Sequence, residues 1–418
     1  MMGVKPPEWQ AACLGDVARI VGGGTPSRAK PEYWGGGIPW VTPTDLARLR
    51  ERYISTTAST ISNRGLAASG ARLVPAGSVL MTSRATIGMC AINTVPMATS
   101  QGFQSLVPTK NIHPEFMAYF LTHRKDLLIK LATGSTFLEV SRGSVASVPI
   151  LLPSLEEQRD IAAILSSVDD AIEATQAVID QLQVVKKAMM AELLTRGLPG
   201  RNTRFKQTEI GEMPEGWQVC RVDELGIVQL GRTRSPVDSS GRDRSYLRAA
   251  NVLDDEIDSS DVLEMPFEDE KFEDFRLLHG DILLNKGQSL ALVGRSAIYR
   301  GAPPDCAFQK TLLRFRATRL DVDFAQFVFQ HYLYSGRFAA NAVQTTSTAN
   351  LTGARFAAMW MPVPQREEQQ EIAGLLGSLR DREWMERQTL AALGTVKSGL
   401  ASVLLTGELR VNPDEAPA

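Results

Sequence analysis

Apolar residues recur at alternating spacings of three and four from Pro153 to Thr195, the pattern of a helix with one buried stripe. Heptad a positions fall on Ile161, Val168, Thr175, Leu182 and Met189, and d positions on Leu165, Ile172, Ile179, Lys186 and Leu193. All of these except Thr175 and Lys186 are apolar, which is a seam for packing along another helix. Ser154 followed by Glu157 forms a capping box at the start. No Gly or Pro interrupts the run before Gly197 and Pro199, which stop it. About 43 residues at ~1.5 Å each predict a rod of roughly 65 Å.

The same pattern returns 211 residues later, from Pro364 to Thr406, without a gap. Glu156-Glu157-Gln158 recurs as Glu367-Glu368-Gln369, Lys186 as Lys397, and Leu193-Leu194-Thr195 as Leu404-Leu405-Thr406. Shared amphipathicity would reproduce the apolar positions but not these polar ones, so the match predicts an internal duplication. The second copy is the poorer seam, because Glu383, Glu386 and Lys397 fall on it. An antiparallel pairing would set Lys186 near Asp381 and Lys397 near Asp170, unless both lysines reach out to solvent.

Outside the helices the period shortens. Residues 14–21 read as a strand running into Gly22-Gly23-Gly24-Thr25-Pro26-Ser27-Arg28. The glycines make either a tight turn or a close approach to an anion, with Thr25, Ser27 and Arg28 placed to bind phosphate oxygens. Residues 73–81 predict a turn into a buried strand that continues to Ser83 and Arg84, and Gln101 lies in a polar stretch after the next strand. Residues 114–132 predict a helix with Phe116, Tyr119, Phe120, Leu127 and Leu131 inward, and Gly134-Ser135-Thr136 a polar turn. The second region repeats this order loosely. Gly231-Arg232-Thr233-Arg234 follows a strand, Asn285-Lys286 matches Thr82-Ser83, Phe308-Gln309-Lys310-Thr311 matches Ser100 to Phe103, and Thr345-Thr346-Ser347 falls opposite Gly134 to Thr136.

Charge divides the same way. The net charge is −2, yet residues 1–152 hold 15 Lys and Arg against 8 Asp and Glu. Residues 201–361 hold 20 against 22, with eleven of the acids inside Asp254–Asp274. Two regions with basic surface are a footprint of nucleic-acid binding. No run of 18 apolar residues and no leader-like start occurs, and the four cysteines are scattered singly, which predicts a cytoplasmic protein. No His/Cys cluster suggests a metal. No Walker A, Gly-x-Ser-x-Gly or Asn-Pro-Pro-aromatic sequence suggests catalysis.

Taken in order, Gly23-Gly24-Thr25-Pro26-Ser27, Ser83-Arg84-Ala85-Thr86-Ile87-Gly88, Ser100-Gln101-Gly102-Phe103, and Leu152–Gln158 with its copy at Val363–Gln369 resemble the specificity subunits of type I restriction–modification systems. The resemblance covers nearly the whole chain. It implies an α+β architecture: two α/β target-recognition domains, at 1–152 and 199–361, separated by two long antiparallel coiled-coil helices, at 153–198 and 362–410, with a tail at 411–418. It implies a non-catalytic subunit that holds no cofactor itself, binds a bipartite site on double-stranded DNA, and recruits two modification subunits, which carry S-adenosylmethionine, and restriction subunits. Candidate DNA contacts are Thr25, Ser27, Arg28, Ser83, Arg84, Gln101 and Ser135, with Arg232, Arg234, Asn285, Lys286, Gln309, Lys310 and Thr346 in the second domain. Candidate subunit contacts are Glu156, Glu157, Gln158, Glu367, Glu368 and Gln369. The alternative is a coiled-coil scaffold with two non-DNA ligand domains.

Overall fold

A computed structural model of the chain describes residues 8–134, 138–233, 241–344 and 348–411. It is a mixed α/β protein that divides into two compact units. The second unit is the contiguous stretch Ile179–Met385. The first consists of the chain before it and the chain after it.

In the first unit a five-stranded sheet has the order Ala18–Gly22, Phe103–Pro108, Val79–Thr82, Cys90–Asn93, Tyr53–Ile54. The Val79–Thr82 strand is buried at every position, which is why it reads as a continuous apolar run rather than an alternating one. A second sheet holds Trp34–Val41 between Thr60–Ile61 and Met97–Thr99, with Trp40 and Val41 paired in parallel to Ala98 and Thr99. The predicted helix of residues 114–132 is two helices, Pro114–His123 and Lys125–Lys130, hinged at Arg124. Across that break the inward residue is Leu128, and Leu127 is only partly buried.

In the second unit a four-stranded sheet has the order Gly226–Leu230, Leu312–Ala317, Ile282–Asn285, Ser296–Ile298. A three-stranded sheet sets Arg242–Leu247 between Leu263–Phe267 and Ala307–Phe308, with Tyr246 and Leu247 paired in parallel to Ala307 and Phe308. The helix Val322–Tyr334 covers the larger sheet with Phe324, Phe327 and Phe329, all fully buried.

The first long helix runs Leu155–Arg196 and the second Arg366–Leu404. Ser154 Oγ accepts the Glu157 N–H, the first half of the expected capping box, while the Glu157 carboxylate turns instead to Trp9 and Arg410. The first helix stops at Gly197, at φ +75°. That left-handed backbone favours glycine, and a Cβ there would also push on Asn202 Nδ2 at 2.2 Å and Glu368 Oε1 at 2.6 Å. The helix ends carry the apolar load. Ile161, Leu165, Leu404 and Leu405 join the core of the first unit with Trp9, Phe116 and Phe120. Leu193, Leu194, Ile372 and Leu376 join that of the second with Trp217, Phe315 and Phe324. Burying each such Leu or Ile contributes about 1.5–3 kcal/mol. Toward the middle the stripe thins, and Val168, Ile172, Thr175 and Leu182 are only half-buried.

The seam lysines find partners, but not the expected ones. In the second unit Lys186 Nζ is 2.8 Å from Glu383 Oε2, and both side chains are 9% exposed. In the first unit Lys397 Nζ is 2.5 Å from Asp169 Oδ1. Asp170 is exposed, and Asp381 is a surface residue beside Arg380. One residue along a helix is a rotation of about 100°, enough to exchange Asp169 for Asp170 at the seam. No helix among the described residues is long and apolar enough to cross a membrane.

Candidate nucleic-acid interface

Backbone hydrogen bonds gather the polar turns of the first unit at one place. Gly23 N–H donates to Phe103 O at 3.3 Å, Gly24 N–H to Thr99 O at 2.9 Å, and Ser100 N–H to Val41 O at 2.9 Å. Ser83 N–H donates to Gly102 O at 2.7 Å, and Val140 N–H to Ser83 O at 3.0 Å. Five segments, around residues 24, 41, 83, 100 and 140, thus share an end.

The same links recur in the second unit. Gly231 N–H donates to Leu312 O at 3.1 Å, Arg232 N–H to Phe308 O at 3.0 Å, and Gln309 N–H to Leu247 O at 2.9 Å. Lys286 N–H donates to Thr311 O at 3.0 Å, and Leu351 N–H to Lys286 O at 2.8 Å. These bonds set Lys286 opposite Ser83, Arg232 opposite Gly24, and Gln309 opposite Ser100. The last is one residue away from the register read in the sequence, which matched Phe308 to Ser100.

The glycine turn is not an anion cradle. Both inner amides are already donating to carbonyls, so they have nothing left to offer a phosphate. The glycines are needed for room: a Cβ on Gly24 would lie 2.2 Å from Ala71 N, and one on Gly23 1.9 Å from Ser100 O. Beyond the turn the chain comes to the surface, where Thr25, Ser27 and Arg28 are exposed. The Arg28 guanidinium lies 3.7 Å from the Trp34 ring centroid and 5.5 Å from that of Trp40, a cation–π contact that holds a long side chain in one place. The indoles are fixed in turn, Trp34 Nε1 donating to Ser27 O at 3.1 Å and Trp40 Nε1 to Gly24 O at 2.9 Å.

The remaining candidates divide by burial. Gln101 and Lys310 are exposed, and Lys286 and Gln309 are half-buried. Arg84 is half-exposed and paired with Glu139 at 2.7 Å. Ser83 and Asn285 are fully buried and offer no surface. Asn285 Nδ2 donates to Val252 O at 2.9 Å. Arg232 is turned inward, with Nη1 donating to Pro266 O at 2.7 Å and its guanidinium 4.1 Å from the Phe267 ring. Burial therefore removes Ser83, Asn285 and Arg232 from the contact surface: each continues a strand into the core instead of joining the turn beyond it. Ser135, Arg234 and Thr346 lie outside the described residues.

Arg248 belongs to the second converged end and was missed in the sequence. Leu247 O before it accepts from Gln309, and Ala249 N–H after it donates to Thr311 Oγ1 at 3.2 Å. The guanidinium is paired with Asp261. The signal was arginine repetition in Arg242-Asp243-Arg244-Ser245-Tyr246-Leu247-Arg248, hidden by the acidic segment after it.

Of the six candidate subunit contacts at the helix starts, Glu156 and Glu367 are exposed and the other four are buried. Glu157 accepts from Trp9 Nε1 at 3.2 Å and from Arg410 Nε at 2.6 Å. Glu368 accepts from Trp217 Nε1 at 3.0 Å and from Asn202 Nδ2 at 2.9 Å. Gln158 Oε1 accepts from His113 N–H, and Gln369 Oε1 from Asp321 N–H, each at 2.8 Å. The repeated Glu-Gln pair thus fastens each helix to its own unit. The tryptophans could have been found by spacing, since Trp9-Gln10 recurs as Trp217-Gln218.

Among the described residues no group of His, Cys, Asp and Glu could hold a metal ion. Residues 6–184 match the family described as "Type I restriction modification DNA specificity domain". The MjaIX type I restriction enzyme specificity subunit of Methanocaldococcus jannaschii is 34% identical over 234 residues, 55% of this chain and 54% of that protein. The MjaVIII specificity subunit of the same organism is 24% identical over 422 residues, 98% of this chain and 95% of that one. A chain solved in work on assembly and conformational transition of the type I R-M system has the same fold, with a TM-score of 0.60 at 17% identity over 97% of this chain and all of that one.

Proposed function

We propose that the chain, like the type I restriction–modification specificity subunits it is similar to, reads a bipartite double-stranded DNA site, one half with each unit. The observation that carries this is the recurrence of one backbone-linked polar end in both units, with Val140 and Leu351, Ser83 and Lys286, and Val41 and Leu247 in matching bonds. It supports two copies of a target-recognition domain on one framework. The reading surface in the first copy is Thr25, Ser27, Arg28, Arg84 and Gln101; in the second it is Lys286, Gln309 and Lys310. Arginine and glutamine at such tips suit guanine and adenine edges, and lysine suits guanine or phosphate.

The long helices serve as an antiparallel coiled coil between the copies. In each unit, partner numbers fall on one side as they rise on the other: Asp169 meets Lys397 and Glu157 meets Arg410, just past the end of the second helix, while Lys186 meets Glu383 and Arg201, just past the end of the first helix, meets Glu371. The domains and spacers take the limits read from the sequence. Two modification subunits and the restriction subunits dock on this framework, with Glu156 and Glu367 as exposed contacts at the helix starts. The chemistry belongs to those subunits; this chain acts in the cytoplasm without catalysis or cofactor.

The test is selection from a randomised duplex library by the full chain with its modification subunits. Two fixed half-sites separated by an unread spacer are expected. A four-residue insertion near Thr175, matched near Glu386, adds ~6 Å of helix. It should lengthen the spacer by about one to two base pairs at ~3.4 Å each while leaving both half-sites unchanged. No enrichment of any duplex sequence would reject the DNA reading in favour of a scaffold for other ligands.

A further inference from the structure

Each converged end holds an arginine engaged by a carboxylate of its own unit. In the first unit Arg84 Nη2 is 2.7 Å from Glu139 Oε2. The pair flanks the Ser83–Val140 backbone link, so it lies at the converged end itself. Glu139 is set there by two backbone bonds with Thr133, N–H to O in both directions at 2.9 Å. In the second unit Arg248 pairs with Asp261. Buried Asn251 places that acid, its Nδ2 donating to Asp258 O and Asp261 O at 2.9 Å while its Oδ1 accepts the Arg248 N–H at 3.0 Å. The two acids come from different elements, so the shared arrangement is not a copied sequence motif.

These pairs are poor candidates for braces. Arg84 and Glu139 are 40% and 36% exposed, and Asp261 is 74% exposed. Exposed ion pairs contribute little to stability. A carboxylate, however, offers a guanidinium the same paired oxygens that a phosphate does. Resting on the DNA reading above, we propose that Glu139 and Asp261 are built-in competitors for DNA phosphate. They hold Arg84 and Arg248 until a matching duplex supplies enough other contacts to displace them, and so lower binding to the wrong sequence. Arg248 thereby joins the residues that determine specificity.

The experiment uses the full chain carrying Glu139→Gln, Asp261→Asn, both together, Arg84→Ala, Arg248→Ala, and the doubles Arg84→Ala/Glu139→Gln and Arg248→Ala/Asp261→Asn. Binding to a random-sequence duplex is followed by fluorescence anisotropy across potassium chloride concentrations, with melting temperatures confirming the fold. Each amide variant should bind random duplex about three- to tenfold more tightly at low salt, and its salt slope should steepen by up to about 0.9 for one freed cation. The gain should vanish when the arginine is also removed. Unchanged affinity in Glu139→Gln and Asp261→Asn would overturn the proposal, as would a gain that survives loss of the arginine, which marks a general charge effect. If neither wild type nor any variant binds duplex, the DNA reading itself falls, an outcome distinct from wild-type binding without an amide effect.

Discussion

Replacing Lys186 by Met takes the cation away from a buried carboxylate. Glu383 is 9% exposed and takes the lysine at 2.8 Å. Gln183 Nε2 also donates to it, at 2.9 Å. Breaking a buried pair from one side costs about 3–5 kcal/mol, and the surviving amide bond argues for the lower end, about 3. The second consequence falls on Asp255, whose carboxyl feels both Arg380 and Lys186 as favourable charges. Its burial cost becomes less well offset. The double variant Lys186→Met/Glu383→Leu removes both charges and leaves apolar volume, so apart from the Asp255 cost that both variants share it should lie within about 1 kcal/mol of wild type. Hydrogen exchange on the amides of residues 366–385 reads this locally: about 3 kcal/mol is a loss of protection of roughly 100-fold. A double variant as unprotected as Lys186→Met would refute the reasoning, because desolvation of one stranded charge could not then be the cause. So would a single variant indistinguishable from wild type.

Three further outcomes are expected. Burial of Asp255 pushes its carboxyl up to about 6; a raised acid favours the folded state when protonated, so wild-type stability falls as pH rises through 6. Asp255→Asn should therefore raise the melting temperature above pH 7, by up to roughly 3 kcal/mol of stability, with the advantage fading below about pH 5; a difference flat from pH 5 to 8 would count against it. Glu368→Ala leaves Trp217, Asn202 and the Leu198 N–H without their shared acceptor and should cost about 3 kcal/mol in urea unfolding, while Glu367→Ala at the exposed neighbour stays within about 0.5; equal costs would show that the repeated glutamates are not distinguished by burial. Gly24→Ala forces a Cβ to within 2.2 Å of Ala71 N and should destabilise the first unit by more than about 1 kcal/mol, whereas Gly22→Ala, whose nearest atom is the end of the Gln104 side chain at 3.7 Å, should be far milder; a melting-temperature comparison decides between them.

What the sequence made legible was local. Heptad spacing, the Ser154 cap and the Gly197 stop fix the first long helix to within a residue or two, because each signal lies inside the helix it describes. The duplication was legible because Glu157 and Glu368 keep their identity. Their task was not, because the indoles that require it lie 148 and 151 residues away along the chain. The glycine turn stayed open between two readings for the same reason. Glycine looks alike whether it admits an anion or a neighbouring loop, and only the positions of Ala71 and Ser100 decide. Arg232 and Asn285 sit after strands as readers would, yet Phe267 and Val252 hold them inside. The seam partners moved by one residue, from Asp170 to Asp169, and by two, from Asp381 to Glu383, because side-chain direction turns by about 100° per residue, finer than a heptad pattern resolves.

The division of the chain also bears on its synthesis. The second unit is one contiguous stretch, so every residue of it has been made once Met385 has been added. The first unit has no such luck. Its core needs Leu404 and Leu405, Asp169 waits for Lys397, and Glu157 waits for Arg410. A nascent chain therefore carries the opening part of its message unfinished while the middle is already able to close, the reverse of the usual N-terminal-first order. Until its last helix emerges, Ile161 and Leu165 lack part of their cover. A chain ending at residue 385 and arrested on the ribosome through an added linker long enough to clear the exit tunnel should thus resist protease across the second unit and remain open to it in the first.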